Sequence, residues 1–194
     1  MIFVKNPQRG KVKTRLAQTL GDERAYEIYL KLLNHTMQQA EKADCAKEVW
    51  YSSYIDNSDL FNPDLFSKKL QTDGDLGNKM SDAFKNAFAG GYERVVIIGS
   101  DCPEISSERI EQAFDLLATN ELVIGPANDG GYYLLGLNRF IPELFEGIPW
   151  STAAVYGKTI DIAKSHELSV EELPVLVDID TEEDLILSKS NWLK

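Results

Sequence analysis

The sequence predicts an α/β fold with a mostly parallel sheet between helices, and three observations support this prediction. Arg94–Glu104 (RVVIIGSDCPE) contains the apolar β-branched run Val95–Ile98, which is typical of a central strand buried on both faces. Short apolar segments alternate along the chain with segments of helical spacing. The 194 residues contain no repeat, linker or low-complexity segment. We therefore expect one three-layer domain over residues 1–194.

The predicted elements follow one another along the chain from a short apolar strand at Met1–Val4. Further strands are predicted at 48–54, 95–98, 121–126, 132–137 and 175–177, and residues 55–70 are predicted to be an irregular surface connection. The helices are predicted to follow Gly21, Gly77, Ser106, the Ser151-Thr152 pair and Thr181. The predicted N-caps are Asp22, Ser106, one of Ser151 and Thr152, and Thr181, the last with Asp184 at the capping-box position.

Composition excludes several classes of function. The formal net charge of -11 argues against nucleic acid or an anionic membrane as a main partner. No apolar run is long enough for a membrane span, and the first residues are too polar for a signal peptide. The two cysteines form no CxxC motif, so we expect a reducing, cytoplasmic setting. The two isolated histidines argue against a histidine-rich metal site or a Ser-His-Asp triad.

A cationic loop follows the first strand. Gln8–Arg15 carries four cations around Gly10 in an otherwise acidic chain. Free backbone N–H groups beside lysine and arginine suit a phosphate, although a solvated basic loop is the alternative. The loop does not match the Walker A pattern, because Val12 follows Lys11 and no upstream glycine is present.

Carboxylates stand at two predicted strand ends. Asp101 follows the buried run at Val95–Ile98, and Asp178 and Asp180 follow the strand predicted at 175–177. Ligands of open α/β sheets bind at this edge, whereas the alternative for Asp101 is a simple turn cap. Carboxylate oxygens select Mg²⁺ or Mn²⁺, which leave coordination positions for substrate phosphates. The residues therefore predict a metal-assisted enzyme that acts on a nucleotide or a sugar phosphate.

Two glycine-containing loops are further candidates. Gln71–Gly77 joins a predicted strand end to a helix, and Gln71 can both donate and accept hydrogen bonds, as recognition of a base edge requires. The Asn128–Gly131 turn would let a sugar or phosphate approach its backbone, or it is simply a tight turn. Trp150 either stacks on a ligand or anchors the core.

Six segments together resemble the nucleotide-diphospho-sugar transferases of the GT-A, Rossmann-like fold. More closely, the chain resembles a small bacterial transferase family found beside radical-SAM and selenoprotein-associated genes. The matching segments are NPQRGKVKTRLAQTLG (6–21), QTDGDLGNKM (71–80), IIGSDCPEI (97–105), GPANDGGYYLLGL (125–137), IPWST (148–152) and DIDTEEDL (178–185). The last segment also resembles the closing motif of sugar-activating nucleotidyltransferases.

The resemblance implies a role for each matching position. Asp101 and Asp180 would bind the metal, with Asp178 as an open third carboxylate. The nucleotide and its phosphates would be bound by Lys13, Arg15, Gln71, Gly74, Gly77 and Ser100. The sugar or acceptor would be bound by Asp129, Gly130, Gly131, Tyr132 and Trp150. The expected catalytic residues are Asp101, Asp129 and Lys13.

The resemblance leaves the transferred group open. Our first expectation is transfer of a sugar from a nucleotide-diphospho-sugar to a small-molecule acceptor, assisted by Mg²⁺ or Mn²⁺. The alternative is nucleotidyl transfer from an NTP to a phosphorylated acceptor, with release of pyrophosphate. The nucleotidyltransferases usually have several glycines in the first loop, where this chain has only Gly10, which favours the first expectation. A catalytically silent nucleotide-binding domain is a third hypothesis, and a homodimer is an open expectation.

Overall fold

The computed structural model describes residues 1–188 and 190–193, and its named strands form one seven-stranded sheet. The strand order is β3-β2-β1-β4-β6-β5-β7. Strand β6 is antiparallel to β4 and β5, and the other pairs are parallel, so the sheet is mostly parallel, as predicted. The strands are β1 (Ile2–Val4), β2 (Lys47–Tyr51), β3 (Phe66–Leu70), β4 (Val95–Ile98), β5 (Leu122–Pro126), β6 (Tyr132–Leu137) and β7 (Val170–Glu172).

Six α-helices accompany the sheet in the described part of the chain. Pro142–Phe145 and Asn191–Leu193 form short 3-10 turns. None of the helices within the described residues has the length and apolar character needed to cross a membrane. The helices are α1 (Thr14–Leu20), α2 (Asp22–Lys42), α3 (Leu76–Ala89), α4 (Ser107–Leu116), α5 (Val155–Ser165) and α6 (Glu182–Leu187).

Strand β4 shows how the three layers form. Val96 and Ile98 belong to a core cluster that also contains residues of α2 and α4. Val95 and Ile97 belong to a second cluster with residues of α3 and α5. Because successive side chains of a strand point to opposite faces, a run that is buried throughout needs helices on both faces. The three-layer prediction is therefore confirmed.

A third, smaller cluster joins the two ends of the chain. Leu16 of α1 packs with residues of α2 and with Ile179 and Leu185, which flank the start of α6. Helix α6 begins with the capping box predicted at Thr181 and Asp184. This packing brings the segment after the cationic loop beside the segment that carries Asp178 and Asp180.

Two strand predictions near the sheet edges are wrong. Residues 55–70, predicted to be irregular, include the edge strand β3, whose sequence FSKKL lacks the apolar alternation typical of strands. The strand predicted at 175–177 is reduced to one bridge between Leu176 and Ala127, and β7 precedes it at Val170–Glu172. Pro174 lies between them and has no N–H group for the ladder.

Some helix starts also differ from their predictions. Helix α1 begins inside the stretch predicted as a cationic loop. Asp22 is the first residue of α2, after Gly21, and caps nothing with its side chain. Ala154 precedes α5, so neither Ser151 nor Thr152 is its N-cap. Ser106 caps α4 by accepting a hydrogen bond from the Arg109 N–H, as predicted.

Candidate functional site

The cationic loop after β1 reaches the carboxylate that follows β4. Lys13 Nζ lies 2.6 Å from Asp101 Oδ1, and the Lys13 side chain is only 4% exposed, whereas that of Asp101 is 46% exposed. Lys13 occupies the left-handed region with a φ of 49°. Since β1 and β4 are neighbours in the sheet, their carboxyl ends bring these two side chains together.

A second ion pair lies at the surface beside the first. Arg15, in the first turn of α1, places its Nη1 2.9 Å from Asp180 Oδ2, and both side chains are substantially exposed. The backbone N–H of Asp180 donates to Asp184 Oδ2 over 3.0 Å, which ties Asp180 to the cap of α6. Both predicted metal carboxylates therefore have a cation as their partner in this structure.

Asp178 has a different environment from Asp180. The Ile179 N–H donates to the Asp101 carbonyl oxygen over 3.0 Å, so the segment around residue 179 runs beside Asp101. Asp178 is half-buried, but its Oδ1 is fully buried and has no hydrogen-bond partner among the described residues. Burial, followed by repulsion from the Asp101 charge, raises the pKa of Asp178 to about 7. The sequence identified this acid only as a third carboxylate, because it does not reveal burial.

The predicted acceptor turn lies near the same carboxylates. The charge of Asp129 contributes to the raised pKa of Asp178, and Asp129 Oδ1 accepts a hydrogen bond from the Gly131 N–H over 2.8 Å. Gly130 has a φ of 87°, and a Cβ there would lie 2.2 Å from the Ala153 carbonyl oxygen. The turn is therefore packed closely against the segment before α5, at a position where only glycine fits.

Trp150 packs on the start of α3. A Cβ on Gly77 would lie 2.2 Å from Trp150 Nε1, so the indole rests directly on the backbone of this glycine. Trp150 also joins the core cluster on the α3 and α5 face. This supports the alternative of a core anchor, and it connects the Gln71–Gly77 loop with the 148–152 segment.

Two other predicted ligands have partners inside the protein. Ser100 is buried and hydrogen-bonds the Tyr29 hydroxyl. The Tyr132 hydroxyl donates to Met80 Sδ over 3.8 Å, and burial raises its pKa well above the usual range. These contacts give Ser100 and Tyr132 a packing role beside the site. The structure thus gathers Lys13, Asp101, Asp178 and Asp129 into one cluster, with Arg15 and Asp180 beside it.

The carboxylates fit a divalent cation held partly by substrate. Among the described residues, no group of three or more His, Cys, Asp or Glu side chains could hold a metal ion. Mg²⁺ commonly takes one or two protein carboxylates and completes its shell with phosphate and water oxygens. The unpartnered Asp178 oxygen, close to the charge of Asp101, indicates a place where added positive charge would be stabilising.

Comparison with known proteins assigns the family. Residues 35–152, more than half of the chain, match the profile of the family described as "Uncharacterized protein conserved in bacteria (DUF2064)". The chain belongs to this family. Asp101, Asp129 and Trp150 lie inside the matched range, whereas Lys13, Arg15 and Asp180 lie outside it.

Three relatives extend the comparison over nearly the whole chain. A proposed nucleotide-diphospho-sugar transferase from Desulfovibrio desulfuricans G20 is 36% identical, with a TM-score of 0.89 over 98% of this chain and 85% of that one. The 2-phospho-L-lactate guanylyltransferase of Methanocaldococcus jannaschii is 28% identical over 90% of this chain and 75% of that protein. The manganese complex of Rv0371c from Mycobacterium tuberculosis H37Rv is 13% identical, with a TM-score of 0.56 over 96% of this chain and 95% of that one.

These comparisons confirm the resemblance and the fold class. The chain has the fold of the nucleotide-diphospho-sugar transferases, and its relatives are enzymes of the transferase class. The curated relative is a nucleotidyltransferase by name, so the comparisons favour the alternative over the expectation of sugar transfer.

Proposed function

We propose that this protein is a metal-dependent nucleotidyltransferase that joins a nucleotide from an NTP to a phosphorylated small-molecule acceptor. The observation that carries this proposal is the pairing of Lys13 with Asp101 and of Arg15 with Asp180 at the carboxyl edge of the sheet. Two cations and two carboxylates at this edge suit a bound phosphate chain together with its cation.

In the proposed reaction, an oxygen of the acceptor phosphate attacks the α-phosphorus of the NTP. A new P–O bond forms, the bond from the α-phosphorus to the oxygen bridging to the β-phosphorus breaks, and pyrophosphate leaves with the bonding electrons. Lys13 and Arg15 would stabilise the negative charge that accumulates on the phosphate oxygens. Lys13 suits this role because its ammonium group is already held in place within the protein.

A divalent cation, Mg²⁺ or Mn²⁺, belongs to this proposal. Asp101 and Asp180 would hold it, and Asp178 would face the same positive charge. When bound, the cation would act as a Lewis acid on the phosphate oxygens. With the cation bound to Asp101 and Asp180, the Lys13 ammonium group and the Arg15 guanidinium group would contact the phosphates.

The acceptor is proposed to lie over the 128–131 turn. The charge of Asp129 acts on Asp178, and Asn128 and Asp129 are exposed in the turn that joins β5 to β6. Asp129 would orient the acceptor and Gly131 would allow its close approach, while Gly130, packed against the Ala153 carbonyl, would fix the shape of the turn. The predicted homodimer and the cytoplasmic setting stay predictions.

Sugar transfer is the second candidate function. Its support is the 36% identity to the proposed nucleotide-diphospho-sugar transferase. The same basic residues and carboxylates would then hold a nucleoside diphosphate leaving group. The two functions differ in their products, because nucleotidyl transfer releases pyrophosphate and sugar transfer releases a nucleoside diphosphate.

The deciding experiment measures these two products. The protein is incubated with each NTP and Mg²⁺ or Mn²⁺ together with phosphorylated hydroxy acids and sugar phosphates, and separately with nucleotide-diphospho-sugars and non-phosphorylated acceptors. We expect pyrophosphate to appear only with one NTP, a phosphorylated acceptor and the metal.

Two variants test whether the activity belongs to the candidate site. Asp101→Asn should remove the activity while retaining the fold, whereas Asp82→Asn, on the exposed surface of α3, should have no effect. Release of a nucleoside diphosphate from a nucleotide-diphospho-sugar, without pyrophosphate from any NTP, would replace this proposal with sugar transfer.

A further inference from the structure

Several exposed apolar side chains lie at the carboxyl ends of β2 and β3, beside the candidate site. Ten large hydrophobic residues are exposed in the described part of the chain, and four of them lie where β2 and β3 end or α3 begins. These four are Tyr54, Ile55, Leu70 and Leu76. An apolar surface at the carboxyl edge of an α/β sheet suits the faces of a planar ring.

Tyr54 is presented by a rigid backbone. Asn6, at the end of β1, is buried and donates from Nδ2 to the Tyr54 carbonyl oxygen over 2.9 Å. Its Oδ1 accepts from the N–H groups of Ser53 and Tyr54 over 3.0 and 3.3 Å. The Tyr54 side chain nevertheless remains 45% exposed. No sequence pattern indicates this role for Asn6.

Gln71 is anchored through its nitrogen and keeps its oxygen free. Its Nε2 donates to the Trp50 carbonyl oxygen over 2.9 Å, and its backbone N–H donates to the Tyr51 carbonyl oxygen over 2.9 Å. Within the described residues, Oε1 has no hydrogen-bond partner. Because a carbonyl can only accept, the Nε2 bond determines which end of the amide is free. The Gln71 side chain therefore offers one oriented acceptor, its Oε1, and its amide nitrogen is already engaged.

The distance from the phosphate site suits a nucleoside. Gln71 follows β3 and Asp101 follows β4, and the strand order separates these two strands by three spacings, about 14 Å. Tyr54 lies between them, because Asn6 holds it beside the end of β1. A nucleotide with its phosphates at Lys13 would extend along this edge past Tyr54 towards Gln71.

We propose that Tyr54 and Gln71 form a nucleobase subsite that selects guanine, an inference that rests on the proposed nucleotide binding at Lys13. The Tyr54 ring stacks on the base, and Gln71 Oε1 accepts from its Watson–Crick edge. Guanine presents two adjacent donors there, N1–H and the N2 amino group, and one carbonyl oxygen accepts both. Adenine and cytosine place a ring acceptor beside their amino donor, and uracil places carbonyl oxygens on both sides of N3–H. The name of the guanylyltransferase relative agrees with this selection.

The two residues have separable effects on binding. Isothermal titration calorimetry with Mg²⁺ compares GTP, ITP, ATP, CTP and UTP on the wild type, Gln71→Leu and Tyr54→Ala. ITP lacks the N2 amino group, so the wild type should bind it about 5- to 10-fold more weakly than GTP. Gln71→Leu should bind GTP and ITP equally. Tyr54→Ala should weaken every nucleotide by about 10-fold or more while retaining the ratio of GTP to ITP.

The comparison of GTP with ITP on the wild type needs no variant, so it stands even if a variant folds poorly. Gln38→Leu, a glutamine on α2, is the matched control and should retain the guanine preference. Equal wild-type affinities for GTP and ITP, or an unchanged preference in folded Gln71→Leu, would overturn the guanine subsite. Nucleotide binding with pyrophosphate release but without base preference overturns this subsite alone. No binding of any nucleotide overturns the proposed function as well.

Discussion

The two ion pairs of the candidate site are close in space and different in character. Lys13 and Arg15 lie two residues apart and pair with Asp101 and Asp180 over 2.6 and 2.9 Å. The Lys13 side chain is 4% exposed, whereas that of Arg15 is 67% exposed. An exposed pair is screened by water and contributes little to stability, whereas a buried ammonium group has few alternative positions. The comparison indicates a fixed charge at Lys13 and an adaptable one at Arg15.

The largest expected effect tests this difference in catalysis. Lys13→Met should lower kcat/KM for nucleotide transfer by about 10²- to 10³-fold, as expected for the loss of one preorganised charge at the transition state. Arg15→Met should lower it by only about 10-fold, because Arg15 has to be ordered by the substrate before it contributes. Pyrophosphate release measures both rates.

Arg9→Met is the matched control for the loss of a cation. Arg9 belongs to the same loop, but it pairs with Glu23 over 3.1 Å, and both side chains are well exposed. The kcat/KM of Arg9→Met should stay within about 2-fold of the wild-type value, because the interactions of an exposed charge are weakened by water. Equal losses for Lys13→Met and Arg15→Met would show that burial of Lys13 has no catalytic consequence.

Asp178 extends the comparison to stability. Its pKa is raised from 3.8 to about 7, first by burial and then by Asp101, so the folded state binds its proton more tightly than the unfolded state. The resulting stabilisation is present below about pH 4 and is lost as the pH rises through 7. The free energy of unfolding of the metal-free protein should therefore fall over this range by a few kcal/mol relative to Asp178→Asn.

Urea denaturation of the wild type and Asp178→Asn at several pH values between 4 and 8 measures this effect. The difference between their free energies of unfolding should grow up to about pH 7 and then level off. Asp180→Asn is the control for the loss of a carboxylate from the same segment, since the Asp180 side chain is 42% exposed. Parallel wild-type and Asp178→Asn curves would show that Asp178 is not a buried acid with a raised pKa.

Asp178 and Asp180 also show what the sequence could predict. Their spacing of two predicts that both side chains point to the same side of a strand. The segment forms no strand, however, and runs beside Asp101 and α6, so that one oxygen of Asp178 is buried while the Asp180 side chain is 42% exposed. Burial of this kind depends on elements distant in the sequence. By contrast, Val95–Ile98 and Asp101 were predictable, because a strand covered on both faces requires a continuous apolar run.

Strand β3 and Lys13 show the same limit. Lys68 is largely buried in an ion pair with Asp59 over 2.6 Å, so a lysine-rich edge strand is stabilised by a partner that the local pattern does not reveal. Lys13 was predicted as a phosphate ligand from the basic loop. Its pairing with Asp101 follows only from the adjacency of β1 and β4 in the sheet.

The smallest expected effect is a change in the free energy of unfolding that comes from the backbone conformation at Lys13. Lys13 has φ and ψ of 49° and 43°, in the left-handed region, which costs a residue with a Cβ about 1 kcal/mol relative to glycine. Lys13→Gly should therefore be about 1 kcal/mol more stable than Lys13→Ala in urea denaturation, since both variants lack the buried side chain. Both variants lack the ammonium group and should lose activity equally.

Equal or greater stability of Lys13→Ala would mean that the left-handed backbone at this position carries no strain. A stability gain in Lys13→Gly with equal loss of activity would separate the backbone from the side chain. In that case glycine fits the loop better, and the lysine is present because its ammonium group reaches Asp101 from this backbone conformation. Arg15, in regular helix and largely in solvent, meets no such requirement. Of the two basic residues, Lys13 would then be the one whose charge is fixed by a backbone conformation that costs free energy.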